Sequence, residues 1–282
     1  MVLLTSGLSS LKGRSDFCKK NFLKKFQTSL KREVFLLQIY MKANTQTLQK
    51  VAIFDSGRGG LSVFNELKAM LSQSGLNVKL KYFCDTENFP YGTKTQEQLK
   101  QIMTQNVCKM VKAGYKTIII ACNTASIAAS AIYPHLEQIY KVKIIKVTDW
   151  LKYIDKNTVN LPQRIVVIAT HFTTKAAYYP IELKTIAPET ICFAVEMQNL
   201  VSYIEESNSE GVKKELYSLS KKVKAYNANA LLLGCTHYSV IKSNLNEQLP
   251  NTVLFDPSYY CALITIKWLQ SNVQEAFTFE VL

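Results

Sequence analysis

Short runs of apolar residues alternate with segments of helical spacing along the chain from residue 51 onward. Uninterrupted apolar runs of a few residues are typical of strands that are buried on both faces of a parallel sheet. Segments with apolar residues at every third or fourth position are typical of the helices that cover such a sheet. The alternation therefore predicts βαβ units and an α/β fold class.

The boundaries of these elements follow from the same pattern. It predicts strands over 51–54, 80–84, 118–121, 142–147, 164–169, 190–195, 231–234 and 253–255, and helices over 61–71, 96–112, 126–140, 198–206, 211–227, 239–249 and 259–271. The chain is long enough for two medium domains. We expect two similar α/β domains with mostly parallel sheets, one over 49–147 and 250–282 and the other over 148–249.

Two of the predicted strands end in the same kind of motif. One apolar run leads into ACNT, which contains Cys122, and the other leads into GCTH, which contains Cys235. A residue at the carboxyl end of a parallel strand lies where ligands bind in open α/β sheets. A single Cys there is often only a small buried hydrophobe, but the repeated context favours two reactive thiols that face one cleft. The helix starts that follow are expected to lower the pKa of both thiols.

Other polar residues fall at the same predicted sheet edge. Asp55 ends the first strand, where a carboxylate can hold an ammonium group or steer a thiol, and the glycine-rich turn after it allows close approach of a ligand. This turn matches neither the dinucleotide fingerprint nor the P-loop, and an ordinary tight turn is the alternative. His237 lies two residues after Cys235 and therefore on the same side of an extended segment, although a structural histidine is the alternative. Hydrogen bonds to a substrate carboxylate are expected from Asn123, Thr124 and Thr236.

Composition narrows the class of protein. Seven cysteines without a C-x-x-C pair fit no zinc framework and indicate reduced thiols in a cytoplasmic protein. No apolar run approaches the length of a membrane span, so we expect a soluble protein without membrane contact. The net charge of +13 comes largely from residues 1–50, which hold ten Lys or Arg against two acidic residues. The body has no basic patch interleaved with aromatics, so no nucleic acid is expected to be required.

The basic N-terminal extension, residues 1–48, has three competing interpretations. It can be an amphipathic basic helix for a membrane surface or an acidic partner. It can be an organellar transit peptide, since it is rich in Lys and poor in acidic residues. It can also be an upstream extension from a misassigned start, with Met41 opening the true chain, and this is the interpretation that we favour.

The chain from about Val51 to Ser271 resembles the glutamate racemase family of the aspartate/glutamate racemase superfamily. The resemblance rests on IFDSGRGGLSVF, DTENFPYGTK, ACNTAS and LGCTHYS, which occur in the family's order. It implies two pseudo-two-fold related α/β domains with the active site in the interdomain cleft. It also implies an isomerase that needs no cofactor and no metal, acts on glutamate, supplies D-glutamate for peptidoglycan and forms a homodimer.

The resemblance also implies roles for individual residues. Cys122 and Cys235 match the two catalytic bases, and Asp55 and His237 match the groups that assist them. Glu205 matches an auxiliary glutamate, with Glu196 as the competing candidate. Arg58 departs from the small apolar residue that is usual at its position. The residues that match substrate contacts are Asp55, Ser56, Pro90, Tyr91, Gly92, Asn123, Thr124, Thr173, Thr236 and His237.

Two alternative functions remain open at the level of sequence. Aspartate racemase shares the two-thiol logic, and only the DSGxGG and PYG elements favour the longer substrate. A non-enzymatic binding protein is the alternative from another class, and the basic N-terminus is its only support. A hydrolase built on one Cys–His pair would use Cys235 and His237 but would leave Cys122 without a role.

Overall fold

The structure is a computed structural model that describes residues 48–154 and 161–271. The described residues belong to one compact unit. The predictions for the basic N-terminal extension and for the part of the first domain after residue 271 lie outside the described residues. None of the helices in the described ranges has the length and apolarity that a membrane span requires.

Two parallel four-stranded sheets organise the described chain. The first contains β1 (Gln49–Asp55), β2 (Val78–Cys84), β3 (Thr117–Ile120) and β4 (Lys143–Lys146), in the order β2-β1-β3-β4. The second contains β5 (Arg164–Ala169), β6 (Ile191–Glu196), β7 (Ala230–Gly234) and β8 (Val253–Phe255), in the order β6-β5-β7-β8. Because the two sheets share one strand order, the prediction of two similar parallel α/β units is confirmed.

Eleven α-helices connect and cover these strands within the described residues. They are α1 (Leu61–Ser74), α2 (Gln96–Lys112), α3 (Asn123–Ala128), α4 (Tyr133–Tyr140), α5 (His171–Lys175), α6 (Tyr178–Ile186), α7 (Gln198–Glu205), α8 (Ser209–Ala225), α9 (Thr236–Val240), α10 (Lys242–Gln248) and α11 (Pro257–Gln270). Short 3-10 helices occupy Thr86–Asn88, Tyr91–Thr93 and Val147–Tyr153.

The central strands are buried, which explains why they are readable in the sequence. Strands β3 and β7 are buried at every position, because helices cover both faces of a parallel sheet. One apolar core includes Val51 and Ile119 from the first sheet and Val167 and Leu232 from the second. The two halves of the molecule, defined by their sheets, therefore share a packed core.

The end of the chain crosses back to the first half later than expected. Strand β8 pairs with β7 in the second sheet, whereas the predicted boundary at residue 250 assigned it to the first domain. Of the described residues after β8, helix α11 packs against α1 of the first half. The local pattern of β8 identifies a strand but carries no signal for its pairing partner.

Several helical segments differ from the pattern. The predicted helix over 126–140 is two helices, α3 and α4, because Pro134 occupies the first turn of α4 and begins a new helix. The predicted helix over 239–249 is likewise divided into α9 and α10, with Ile241 between them. Helices α5 and α6 and the 3-10 helix Val147–Tyr153 were not predicted.

Candidate active site

Both candidate thiols occupy the position that caps a helix at the end of a central strand. Cys122 lies between β3 and α3, and Cys235 lies between β7 and α9. Each is a free cysteine that is buried, with 6% and 7% of its surface exposed. The placement of the two thiols at equivalent strand ends agrees with the sequence expectation.

The Cys122 thiol lies beside a buried carboxylate. The Ser56 hydroxyl is 3.8 Å from Cys122 Sγ and donates to Asp55 Oδ1 at 3.3 Å. The backbone N–H of Gly57 donates to the same carboxylate oxygen. Burial raises the pKa of Asp55, although the charge of His237 and these hydrogen bonds act in the opposite direction.

The acidity of Cys122 differs from the sequence expectation. Burial raises the pKa of its thiol well above the usual value, and the charges of Asp55 and Cys235 act in the same direction. The backbone N–H of Ala125 and the Ser56 hydroxyl favour the thiolate but do not outweigh burial. The expected lowering of this pKa by the helix start is therefore wrong, because a short helix start is a smaller effect than complete loss of water.

The Cys235 thiol lies beside a histidine instead. Its Sγ is 3.7 Å from Nδ1 of His237, and Nε2 of His237 is 2.7 Å from Oε1 of Glu205. Burial alone would lower the pKa of His237, but hydrogen bonds with Cys235 and Glu205 and the charges of Cys235 and Asp55 raise it to about 10. The hydrogen bond from His237 lowers the pKa of Glu205 to about 2. The imidazole is therefore a cation that donates from both ring nitrogens.

The structure distinguishes the two candidates for the auxiliary glutamate. Glu205, in the last turn of α7, faces His237. Glu196, at the end of β6, instead pairs with His171 at 2.9 Å, where both side chains are about half exposed. Of the two glutamates, only Glu205 contacts a candidate catalytic group among the described residues.

The two halves meet at these residues. The Thr236 hydroxyl, in the second half, donates to Asp55 Oδ2 in the first half at 2.8 Å. Arg58 in the first half binds Glu205 in the second through its backbone N–H and its guanidinium group. Thr124 and Thr170 share a hydrogen bond of 2.9 Å across the same boundary. The carboxyl ends of the two sheets therefore face each other at the candidate site.

The other expected substrate contacts lie around this boundary. Thr170 links Thr124 to Thr173, and the Tyr179 hydroxyl donates to Oδ1 of Asn123. All five of these side chains are buried. Together they provide hydroxyl and amide groups, which are the hydrogen-bond donors that a substrate carboxylate requires.

The PYG loop, Pro90–Gly92, is held by hydrogen bonds to the Asp85 carboxylate. The Tyr91 hydroxyl donates to Asp85 at 2.6 Å, and the Asn88 and Asn106 amides donate to the same carboxylate. Gly92 lies against Gln198 and Thr170 of the second half, where a Cβ would clash. Tyr91 thus uses its hydroxyl to hold the loop in place.

Sequence reasoning did not identify Thr170, Tyr179 or the contact between Arg58 and Glu205 as parts of the site. Thr170 had a usable signal, because it follows a predicted strand just as Asp55 does. Arg58 was visible only as a departure from the family pattern. Tyr179 had no signal, because its contact with Asn123 joins residues from different halves of the molecule.

The glycine-rich turn packs directly on the Cys235 side. A Cβ at Gly59 would lie 2.6 Å from Nδ1 of His237, 2.6 Å from Oγ1 of Thr236 and 2.7 Å from the backbone N of His237. These distances are too short for carbon, and a backbone atom cannot yield as a flexible side chain can. The small residue at position 59 is therefore a condition for the contact between the halves.

We expect Gly59→Ala to displace His237 and to lower both activity and stability. Overpacking of this kind costs about 1–3 kcal/mol of unfolding free energy. Denaturant unfolding and initial reaction rates measure the two effects. Activity and stability equal to those of the unmodified chain would contradict the close approach of this turn to His237.

The described residues contain no group of three or more His, Cys, Asp or Glu side chains that could hold a metal ion.

Two buried thiols thus lie at matched ends of central strands in an α/β fold, one near the Asp55 carboxylate and the other beside His237. The chain belongs to the Asp/Glu/hydantoin racemase family, whose family model matches residues 56–258. Within that family its similar relatives include glutamate racemases. That of Campylobacter curvus is 33% identical over 71% of this chain and 75% of its own length. That of Fusobacterium nucleatum is 33% identical over 79% of this chain and 82% of its own length.

The fold comparison agrees with this assignment. The crystal structure of the glutamate racemase of Francisella tularensis, in complex with D-glutamate, is 28% identical in sequence with a TM-score of 0.68. The similarity covers 82% of this chain and 86% of that one. The racemase isoform RacE1 of Bacillus anthracis shares the fold with a TM-score of 0.64 at 22% identity.

Proposed function

We propose that this protein interconverts L- and D-glutamate by a cofactor-independent mechanism in which Cys122 and Cys235 are the two bases. The observation that carries the proposal is the pairing of two buried thiols at equivalent strand ends, one beside Asp55 and the other beside His237. Membership of the racemase family and the named glutamate racemases among its relatives support the choice of reaction and substrate.

Substrate is held between the two halves. The hydroxyl and amide groups of Asn123, Thr124, Thr173 and Thr236 are the proposed donors to its carboxylates. Asp55 and Ser56 are the proposed contacts of the ammonium group, and the backbone of Pro90–Gly92 is the proposed boundary for the side chain. Preorganised donors of this kind stabilise the negative charge that develops on the substrate carboxylate when Cα loses its proton.

The proton moves in two balanced steps. One cysteine, as thiolate, removes the Cα proton from one face and becomes a thiol, and the electron pair remains on the substrate as a carbanion. The other cysteine, as thiol, gives its proton to the opposite face and becomes a thiolate. Contact distances of about 3–3.5 Å on each side predict a separation of roughly 6–7 Å between the two sulfurs. A proton exchange between enzyme and solvent restores the starting state.

The environments of the two thiols fit unequal roles at rest. Burial raises the pKa of Cys122, so its thiolate is a strong base once it forms. The imidazolium of His237 provides a positive partner for a thiolate on Cys235. Cys122 is therefore the thiol at rest, and the two thiols differ in the charge of their nearest ionisable neighbour.

Exchange of the Cα proton in heavy water tests the function. Each enantiomer of glutamate and of aspartate is incubated with the full chain, and proton NMR and chiral chromatography follow exchange and inversion. We expect both enantiomers of glutamate to exchange and racemise, with aspartate much slower. Faster racemisation of aspartate would assign the other substrate of the family, and inert glutamate and aspartate would reject the proposal.

A thiol-alkylating reagent is expected to inactivate the enzyme, and glutamate is expected to protect it, because the reactive thiols line the substrate site. Dialysis against a chelator or treatment with hydroxylamine is expected to have no effect, because neither a metal nor a carbonyl cofactor takes part. Loss of activity in either of these two treatments would contradict the two-thiol mechanism.

The cellular role and location of the reaction are likewise proposed from membership of the racemase family. D-Glutamate made here would serve peptidoglycan synthesis in the cytoplasm. Association as a homodimer remains a prediction, and sedimentation of the full chain measures it.

A further inference from the structure

Arg58 joins the two halves through three hydrogen bonds to a single residue. Its backbone N–H donates to Oε1 of Glu205 at 2.6 Å, and its Nε–H donates to Oε2 at 2.8 Å. Its Nη2 donates to the backbone carbonyl of Glu205. The rigid guanidinium fork is well suited to holding a carboxylate in one orientation. The Arg58 side chain is 59% exposed and that of Glu205 only 18%, so Arg58 holds a largely buried carboxylate from outside.

The carboxylate that Arg58 holds is shared with the proton-transfer machinery. Oε1 of Glu205 accepts from Nε2 of His237 as well as from the Arg58 backbone. Nδ1 of His237 lies next to the Cys235 thiol. A continuous series of contacts therefore runs inward from Arg58 through Glu205 and His237 to the Cys235 thiol. Gly57 leaves the space for it, since a Cβ at that position would collide with Glu205.

The charges around His237 act in opposite directions. Cys235, Glu205 and Asp55 favour its protonated form, and burial disfavours it. Arg58 bonds to the Glu205 carboxylate and lowers the pKa of Glu205 together with His237. The positive charge of Arg58 therefore offsets part of the negative charge that His237 experiences from Glu205.

We propose that Arg58 is a positioning residue that orients Glu205 toward His237 and limits how strongly Glu205 favours the imidazolium beside Cys235. This inference rests on the proposed function, because the charge of His237 matters for rate only if Cys235 transfers a proton. The contacts that carry it are the three hydrogen bonds to Glu205, and the direct partners of the thiol are unchanged by any substitution at position 58.

The contacts of Glu205 predict the direction in which each substitution changes the pKa of His237. In Arg58→Gln the backbone N–H of residue 58 and Nε2 of His237 still hold Oε1, so Glu205 remains in place. Its negative charge is then less compensated, and the pKa of His237 rises. Arg58→Lys keeps the positive charge and is expected to restore most of the original value. Glu205→Gln removes the negative charge and is expected to move the pKa of His237 in the opposite direction.

Histidine NMR titration of the full chain measures the pKa of His237 directly and does not depend on turnover. The chain has three histidines, and His135→Asn and His171→Asn variants assign their signals, which leaves that of His237. We expect an upward shift of about half a unit or more in Arg58→Gln, reduced from the usual effect of a neighbouring charge because the side chain is exposed. Lys213→Gln is the control, since it removes an exposed cation that pairs with Glu210 instead of Glu205.

Kinetics provide the second measurement. The alkaline limb of the pH profile of kcat/KM is expected to move upward with the His237 titration in Arg58→Gln and to return in Arg58→Lys. A pKa of His237 that is unchanged or lowered in Arg58→Gln overturns the inference, and so does an equal shift in Lys213→Gln. If the unmodified chain fails to racemise glutamate, the proposed function fails, and the titration still decides whether Arg58 controls the charge of His237.

Discussion

Replacing either Cys122 or Cys235 by alanine is expected to reduce racemisation of glutamate by about 10²–10⁴-fold, the contribution of a positioned proton-transfer group. Each face of Cα has one base, and none of the neighbouring groups, among them Ser56 and His237, is placed by its hydrogen bonds to substitute for a missing sulfur. Both variants are expected to fold, because each substitution removes only one sulfur atom at the carboxyl end of a strand. Initial rates in both directions and thermal unfolding measure the two effects.

Proton exchange without inversion sharpens this test. In Cys122→Ala the remaining thiol contacts one face of the substrate, so any residual exchange in heavy water is expected for one enantiomer only. In Cys235→Ala the residual exchange is expected for the opposite enantiomer. Cys108→Ala is the control, since this partly buried thiol lies on α2 and contacts Tyr140. Near-normal turnover in either active-site variant would reject the assignment of two bases.

His237→Asn and Asp55→Asn are expected to lower kcat by roughly 10- to 100-fold, the equivalent of about one to two pKa units at the thiol that each assists. His237 provides the cation beside Cys235, and Asp55 provides the carboxylate next to Cys122 through Ser56. The enantiomers have equal free energies, so kcat/KM must fall equally in both directions. A difference between the two reaction directions is therefore visible only in kcat, in KM and in the isotope effects.

Kinetic isotope effects with Cα-deuterated substrates separate the two sides. In His237→Asn the steps at Cys235 become slow. The substrate isotope effect is then expected to rise in the direction in which Cys235 removes the proton and to fall in the direction in which Cys235 returns it. Asp55→Asn is expected to give the reverse pattern. His171→Asn, which changes an exposed histidine outside the site, is the control. The same pattern in both active-site variants would contradict the assignment of one assistant to each thiol.

Much of the fold was predictable because buried parallel strands have a local signature. The continuous apolar runs of β3 and β7 are buried at every position, and the predicted bounds differ from the structure by only a residue or two. Helix α2 begins at a Thr95 capping box and ends at Lys112, as the pattern predicted. These features depend on neighbours in sequence, which a single chain displays directly.

The auxiliary glutamate illustrates what local pattern does not contain. Glu196 and Glu205 lie nine positions apart on consecutive elements, and either could face the cleft on sequence grounds. The edge strand β6 ends with Glu196 beside the exposed His171, while the last turn of α7 directs Glu205 to His237. The packing of α7 against the second sheet therefore determines that Glu205, and not Glu196, faces His237.

The amino-acid sequence by itself determined the α/β class and the placement of Cys122, Cys235 and Asp55 at strand ends, because each is recorded in a run of adjacent residues. The tertiary structure decided the quantities that depend on distant contacts. It placed β8 in the second sheet, joined Arg58 to Glu205 across the two halves and raised the pKa of Cys122 through burial. Burial and pairing arise only when remote segments exclude water together. The sequence around Cys122 therefore suggested a lowered pKa, whereas burial in the folded chain raises the pKa of this thiol.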